Sequence, residues 1–79
     1  MLIETLTPTE LEVYNCVING NAYEEITEIL HIQMVTVKTH MNSILKKLEF
    51  KNRYQLMAEV IKELKNEIED LESKLAKVQ

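Results

Sequence analysis

The chain has 79 residues, enough for one small domain with a marginal core, so burial by oligomerisation is expected. Its single glycine and single proline are too few for the turns of a β-sandwich or barrel, and its single cysteine excludes an internal disulfide and a cysteine-based zinc site. The net charge of −4, taken alone, argues against nucleic acid as a partner. No apolar run is long enough to span a membrane, and we expect a folded, cytoplasmic protein.

Charge is unevenly distributed along the chain. Residues 1–30 contain six acidic residues and no lysine or arginine, whereas residues 54–79 contain six acidic residues and four lysines. Between them, residues 31–53 carry five basic residues against the single acid Glu49, a local charge of +4. This asymmetry indicates a basic surface in the middle of an acidic chain, which is compatible with an anionic partner after all.

The first predicted helix begins after Thr7. Thr7 is a suitable N-cap, Pro8 suits the first helical position, and Glu10 completes a capping box. Gly20 is expected to end the helix in a left-handed conformation. The apolar residues that recur at helical spacing, and that we predict to face the core, are Leu11, Tyr14, Val17 and Ile18.

A second, short helix is predicted from Tyr23 to Leu30, with Ile26, Ile29 and Leu30 facing the core. After a brief break at residues 31–33, a third helix follows. Its apolar side is formed by Val37, Met41, Ile44 and Leu48. Its opposite side carries basic, amide and hydroxyl groups and one valine: Val35, Lys38, Thr39, Asn42 and Lys46. The next break covers residues 49–51, with Phe50 expected to be buried.

Two helices joined by a short turn, the second displaying polar side chains opposite its core side, are typical of a helix-turn-helix motif. The major groove admits one α-helix, in which lysine can bond guanine acceptors and asparagine can bond adenine through both amide atoms. The basic residues near the end of the third helix and beyond it are suited to phosphates, which position a helix without reading sequence. They are Lys46, Lys47, Lys51 and Arg53.

The order of these residues resembles the DNA-binding domain of the LuxR/GerE-type (NarL/FixJ-like) helix-turn-helix family. The resemblance covers residues 6–58. Its most specific part is the run Thr-Val-Lys-Thr-His at residues 36–40, with Leu-Thr-Pro ahead of it and Lys-Leu after it. The matching residues are Leu6, Thr7, Pro8, Glu10, Glu12, Val13, Gly20, Glu25, Ile26, Glu28, Leu30, Ile32, Thr36, Val37, Lys38, Thr39, His40, Ile44, Leu45, Lys47, Leu48 and Arg53.

The resemblance implies an all-α fold, a four-helix domain whose third helix enters the major groove of double-stranded DNA and whose fourth helix mediates dimers. By position, it implies base contacts for Lys38, Thr39 and Asn42. It places Thr36, His40 and Lys46 nearer the DNA backbone.

Some positions depart from the family pattern. Gln33 replaces the usual serine cap of the recognition helix, and Glu49 stands where a glycine usually ends it. A left-handed residue other than glycine costs about 1 kcal/mol, unless the turn differs. The second helix is acidic where relatives are often basic. Each lost phosphate contact lowers both the affinity for DNA and its salt dependence. We therefore expect a single DNA-binding domain to bind with modest affinity, which makes dimerisation more important.

The fourth predicted helix is capped by Asn52 and shows no helix breaker from residue 53 to residue 79. Family members usually end soon after Ala58, so we divide the chain into a DNA-binding domain, residues 1–58, and a coiled-coil extension of the last helix, residues 59–79. A helix that folds back on its own domain is the alternative, which the lack of turn residues disfavours. The apolar residues spaced alternately by three and four form one seam, the predicted dimer interface: Tyr54, Met57, Ile61, Leu64, Ile68, Leu71, Leu75 and Val78.

The orientation of the paired helices stays open. Isoleucine at positions 61 and 68 with leucine at 64 and 71 favours a parallel two-stranded coil. The flanking charges favour the antiparallel arrangement, because Glu67 would face Glu72 of a parallel second copy. A parallel coil keeps both heads at one end, whereas an antiparallel coil would separate the two Arg53 residues by about 50 Å. We favour the parallel pair for a protein that binds adjacent half-sites.

We therefore predict a sequence-specific transcriptional regulator that acts as a homodimer without a sensor domain of its own. The alternative is an interaction module that pairs with another regulator through its last helix and blocks or redirects it. The sequence offers no catalytic constellation and calls for no cofactor. His31 and His40 lack carboxylate neighbours at metal-binding spacing, so no metal site is expected, and Cys16 is interpreted as a small core residue.

Overall fold

A computed structural model describes residues 2–78, which form four α-helices and no strand. The helices are α1 (Pro8–Ile18), α2 (Tyr23–Leu30), α3 (Met34–Lys47) and α4 (Arg53–Val78), and a short 3-10 helix (Ile3–Thr5) precedes them. The all-α fold and the order of its helices are thus confirmed. Within the described part of the chain, no helix is long and apolar enough to cross a membrane.

The start of α1 follows its local sequence. The Thr7 hydroxyl accepts a hydrogen bond from the Glu10 backbone N–H at 3.2 Å, and the Glu10 carboxylate accepts one from the Thr7 N–H at 2.9 Å. Pro8 occupies the first turn, where its missing N–H costs nothing. At α2 the Glu25 carboxylate accepts a hydrogen bond from the Ala22 N–H at 2.8 Å, whereas Ala22 has no side chain that could cap the helix.

The first three helices all end at a residue in the left-handed conformation. Gly20 has a φ of 88°, as predicted, and Glu49 and His31 have φ values of 65° and 55°. The backbone N–H of Glu49 donates to the carbonyl of Lys46, and the backbone N–H of Phe50 donates to the carbonyl of Leu45. These are the two hydrogen bonds of a Schellman motif. Of these three residues, only Gly20 adopts a left-handed backbone without steric cost, because glycine has no Cβ.

The core lies where α1, α2, α3 and the first turns of α4 meet. The predicted inner side of α3 is confirmed, because all four of its apolar residues are buried. Phe50 is partly buried against this core. The buried apolar residues are Val13, Tyr14, Cys16, Val17, Ile26, Val37, Met41, Ile44, Leu48 and Leu56.

For two residues, the prediction that they face the core is wrong. Leu11 is exposed, because the inner face of α1 runs through Glu10, Val13 and Val17 rather than through Leu11. A charged residue at the first inner position concealed this face. Ile29 is also exposed, because the eight-residue α2 turns only Ile26 fully into the core.

The fourth helix has two parts that differ in burial. Leu56 is fully buried, and Met57 and Val60 pack partly against the core. From residue 61 to residue 77 every side chain is exposed. The molecule is elongated and measures 52 × 24 × 21 Å. The helix therefore does not fold back onto its own domain.

Candidate nucleic-acid interface

The outward face of α3 gathers the residues predicted to contact bases. Lys38, Thr39 and Asn42 are all exposed, and they follow one another within two turns of the helix. Val35 lies on the same face in the first turn, with 65% of its surface exposed. No side chain caps the N-terminus of α3, since Gln33 makes no such hydrogen bond. The exposed lysine, hydroxyl and amide groups are of the kinds that bond base edges in the major groove.

The residues predicted to contact the DNA backbone surround this face. Lys46 and Lys51 are exposed, whereas Thr36 and His40 are half-buried at its border. Arg53 opens α4, and its guanidinium carbon lies 4.8 Å from the centre of the Tyr23 ring, a cation–π contact. This contact connects α4 to α2 and gives the Arg53 charge a defined position.

The turn between α3 and α4 is held by amide side chains. The Asn52 side-chain oxygen accepts a hydrogen bond from the Gln55 N–H at 2.9 Å, as expected of the predicted N-cap. The Gln55 side-chain oxygen in turn accepts from the Lys51 N–H at 2.7 Å. The two bonds fix the backbone that carries Lys51 next to the end of the recognition helix.

A buried carboxylate connects α1 to the recognition helix. Glu10, only 5% exposed, accepts hydrogen bonds from the Lys47 ammonium at 2.6 Å and from the Ser43 hydroxyl at 2.5 Å. The same carboxylate completes the capping box with Thr7. The bond from Lys47, then those from Ser43 and the Thr7 N–H, lower the pKa of Glu10 from 4.5 to about 2, against the opposing effect of burial.

This network changes the interpretation of Lys47. The sequence predicted Lys47 as a phosphate contact, but its ammonium is bound by Glu10, and its side chain is only 34% exposed. Its charge is therefore compensated within the domain. Glu10 and Ser43 position α3 without lying on its outward face, and the sequence reasoning missed this role, since Glu10 and Lys47 are 37 residues apart.

The seam of α4 is exposed along its length beyond the core. Tyr54 is 78% exposed, and Ile61, Leu64, Ile68, Leu71 and Leu75 are each more than half exposed. Met57 belongs to the seam and also packs against the core of its own domain. The side chain of Val78 lies outside the described residues. Next to the seam, Lys74 and Asp70 form an exposed ion pair at 3.2 Å.

One residue with a clear structural role was not singled out from the sequence. Leu56 anchors α4 in the core with none of its surface exposed, although the predicted seam passes on either side of it. The helical position of Leu56, one residue before Met57, carried no signal of its own, because the regular seam dominates the pattern.

Comparison with known proteins is consistent with this geometry. Residues 4–60 match the model of the family described as bacterial regulatory proteins, luxR family. Response regulator protein VraR of Staphylococcus aureus (strain Mu3) is 43% identical over 54 residues, 68% of this chain and 26% of the relative. The same protein of Staphylococcus saprophyticus and Staphylococcus epidermidis matches equally well. The match thus spans about a quarter of the length of these curated relatives. No solved structure matches the chain significantly.

Proposed function

The chain belongs to the luxR family of bacterial regulatory proteins, a family of DNA-binding transcription regulators, and we propose on that premise that it reads a specific DNA sequence as a homodimer in the cytoplasm. The observation that supports this proposal is the outward face of α3, on which Lys38, Thr39 and Asn42 are exposed. The apolar residues Val37, Met41 and Ile44 are buried on the opposite side of the helix. We propose residues 1–58 as the DNA-binding domain and residues 59–79 as its coiled-coil extension.

In this proposal α3 lies in the major groove and reads base edges. Lys38 donates to the guanine acceptors N7 and O6, and Asn42 forms two hydrogen bonds with adenine. Thr39 lies between them on the exposed face. Glu10 supports the readout from inside, because it ties α3 to α1 through Ser43 and Lys47.

Phosphate contacts fix the helix in the groove. Lys46, Lys51 and Arg53 supply positive charge at the C-terminal end of α3 and beyond it, and Thr36 and His40 flank its first half. The acidic residues of α1 and α2 lower the overall attraction to DNA. Binding should therefore be weaker than that of a basic relative, and its affinity should still fall as salt concentration rises.

The dimer forms through the seam of α4. Its apolar residues are exposed in the single chain, and pairing with a second copy would remove them from water. Exposure of Tyr54 supports a parallel pair, because an antiparallel coil centred on residues 68–71 leaves Tyr54 uncovered. A parallel pair also brings both recognition helices to one end, where half-sites one helical turn apart, about 34 Å, can be reached.

DNA binding is tested with a pool of random duplexes at low and at physiological salt. We expect enrichment of one sequence and an affinity that falls with salt. Lys38→Ala should relax base preference at one position and cost about 1–3 kcal/mol, whereas Lys46→Ala should weaken binding to all sequences alike. A purified chain that enriches no sequence and shows no salt-dependent affinity refutes the proposal.

Dimerisation is tested separately by sedimentation. Ile68→Asp places a charge in the seam and should yield monomers, whereas Ser73→Asp, on the opposite side of α4, should leave the dimer intact. Orientation is tested by a cysteine added after Gln79 in a chain with Cys16→Ala. Efficient disulfide formation within dimers supports the parallel pair, and poor formation supports the antiparallel one.

A second candidate function is that of an interaction module for another regulator. It is favoured by one feature of a parallel homodimer, in which Glu67 would face Glu72 of the second copy and weaken self-pairing. A partner helix with basic residues at those positions would bind better. Such a protein stays off DNA as a purified chain and forms a mixed complex through residues 60–79, whereas the proposed regulator shifts duplexes alone.

A further inference from the structure

The first two turns of α3 expose an apolar surface beside the polar residues. We infer that Val35, with the methyl group of Thr39, contacts the C5-methyl group of a thymine and makes thymine part of the recognised sequence. This inference rests on the proposed DNA binding. The ligand is a methyl group in the major groove, which only thymine presents among the four unmodified bases.

Folding alone does not explain a valine at position 35. It is 65% exposed, whereas Val37 on the opposite side of the same helix has none of its surface exposed. Valine is also a weaker helix former than lysine, arginine, glutamate or glutamine. Single exposed apolar residues are common on protein surfaces, but this one lies in the first turn of the recognition helix, the part that meets base edges in helix-turn-helix proteins.

Thr39 adds a second apolar group to this surface. Its hydroxyl donates a hydrogen bond to the backbone carbonyl of Val35 at 2.8 Å. With its proton committed to the helix backbone, the hydroxyl has no donor left for a base. The methyl group of Thr39 then remains for contact with the groove, one turn after Val35.

The spacing along α3 predicts where the thymine lies. Val35 precedes Asn42 by seven residues, about 10 Å of helix rise. Successive base pairs are about 3.4 Å apart, so the thymine should lie roughly three base pairs from the adenine bonded by Asn42. It should lie toward the end of the half-site that meets the N-terminus of α3.

The inference is tested on the full chain with the duplex selected from the random pool. Each thymine of one half-site is replaced in turn by deoxyuridine, which keeps base pairing and loses only the methyl group. We expect one position at which binding weakens about four-fold, the value of one buried methyl group. Replacement of a thymine outside the half-sites should change nothing.

Two variants connect this position to the protein. With Val35→Ala, thymine and deoxyuridine at the sensitive position should bind nearly alike. Ile29→Ala, which removes another exposed aliphatic group, from α2, should keep the four-fold difference. Val35 is exposed and its replacement leaves the core untouched, so both variants are expected to fold.

The outcomes separate this inference from the proposed function. A chain that selects a DNA sequence with no thymine in the half-site, or one that binds deoxyuridine as well as thymine at every position, overturns the methyl contact and leaves DNA binding standing. A thymine effect that persists in Val35→Ala assigns the contact elsewhere and overturns it too. A chain that retards no duplex refutes both.

Discussion

Replacing Glu10 with glutamine should make the stability of the domain far less sensitive to acid. Glutamine keeps the size of the side chain and still completes the capping box with Thr7. It removes the negative charge that binds Lys47 and Ser43 on α3. The substitution therefore probes the connection between α1 and the recognition helix while leaving the start of α1 intact.

The magnitude follows from the pKa of Glu10, which is about 2 in the folded chain against an ordinary value of 4.5. At about 1.4 kcal/mol for each pH unit, this difference corresponds to about 3 kcal/mol. Lys47 is about one-third exposed, so solvent screening reduces the expected effect to about 2 kcal/mol. Because the pKa is lowered on folding, the stabilisation is present above pH 4.5 and is lost as the pH falls to about 2.

The assay is urea unfolding of both chains at about pH 7 and about pH 2, at one fixed protein concentration because dimerisation also stabilises. The free energy of unfolding of Glu10→Gln should lie about 2 kcal/mol below that of the unmodified chain at the higher pH, and close to it at the lower one. Glu12→Gln, an exposed acid on the same helix, serves as control and should change little at either pH.

A difference between Glu10→Gln and the unmodified chain that is the same at both pH values would refute this reasoning, since the charge of Glu10 would then not be its source. Carbon NMR titration of the Glu10 carboxyl group supplies a second measurement. A midpoint near 4.5 would show that Lys47 and Ser43 do not hold the carboxylate in solution.

Three further predictions follow from the helix ends, the core and the charges. Glu49→Gly should raise the free energy of unfolding by about 1 kcal/mol, because glycine adopts the left-handed backbone without steric cost, and Glu49→Ala should not; thermal unfolding distinguishes them. Leu56→Ala should cost about 2–5 kcal/mol of stability in urea unfolding. Leu64→Ala should leave the stability of the monomeric domain unchanged and raise the dimer dissociation constant measured by sedimentation. Lys46→Ala should reduce the slope of log affinity against log salt by about 1, and Lys47→Met should lower stability with a smaller change in that slope, because Glu10 already compensates Lys47.

Features that depend on neighbouring residues could be predicted from the sequence. The start of α1 is specified within Thr7, Pro8 and Glu10, and its end by Gly20, so each follows from residues a few positions apart. The inner side of α3 was predicted for the same reason, since its apolar residues repeat without interruption. The long seam of α4 was visible because no other pattern competes with it.

Features that depend on distant residues could not be predicted. Glu10 carries a charge, and charged residues are rarely buried without a partner. Its partners, Ser43 and Lys47, become neighbours only when α1 packs against α3. The inner face of α1 was consequently predicted from Leu11, Tyr14, Val17 and Ile18, and Glu10 was interpreted only as part of the capping box. Likewise, the left-handed conformation of His31 has no glycine to signal it.

The continuity of α4 has a consequence for the geometry of any dimer. The helix passes without a break from the buried Leu56 to the exposed Leu75, so the angle between seam and core is set by the number of residues that separate them. One residue inserted after Val60 would rotate the seam by about 100° about the helix axis, while seven would restore the angle and lengthen the stalk by about 10 Å. The number of residues between the buried part of α4 and its exposed seam thus sets the rotation of one recognition helix relative to the other. That rotation could change without any change in the residues that contact DNA.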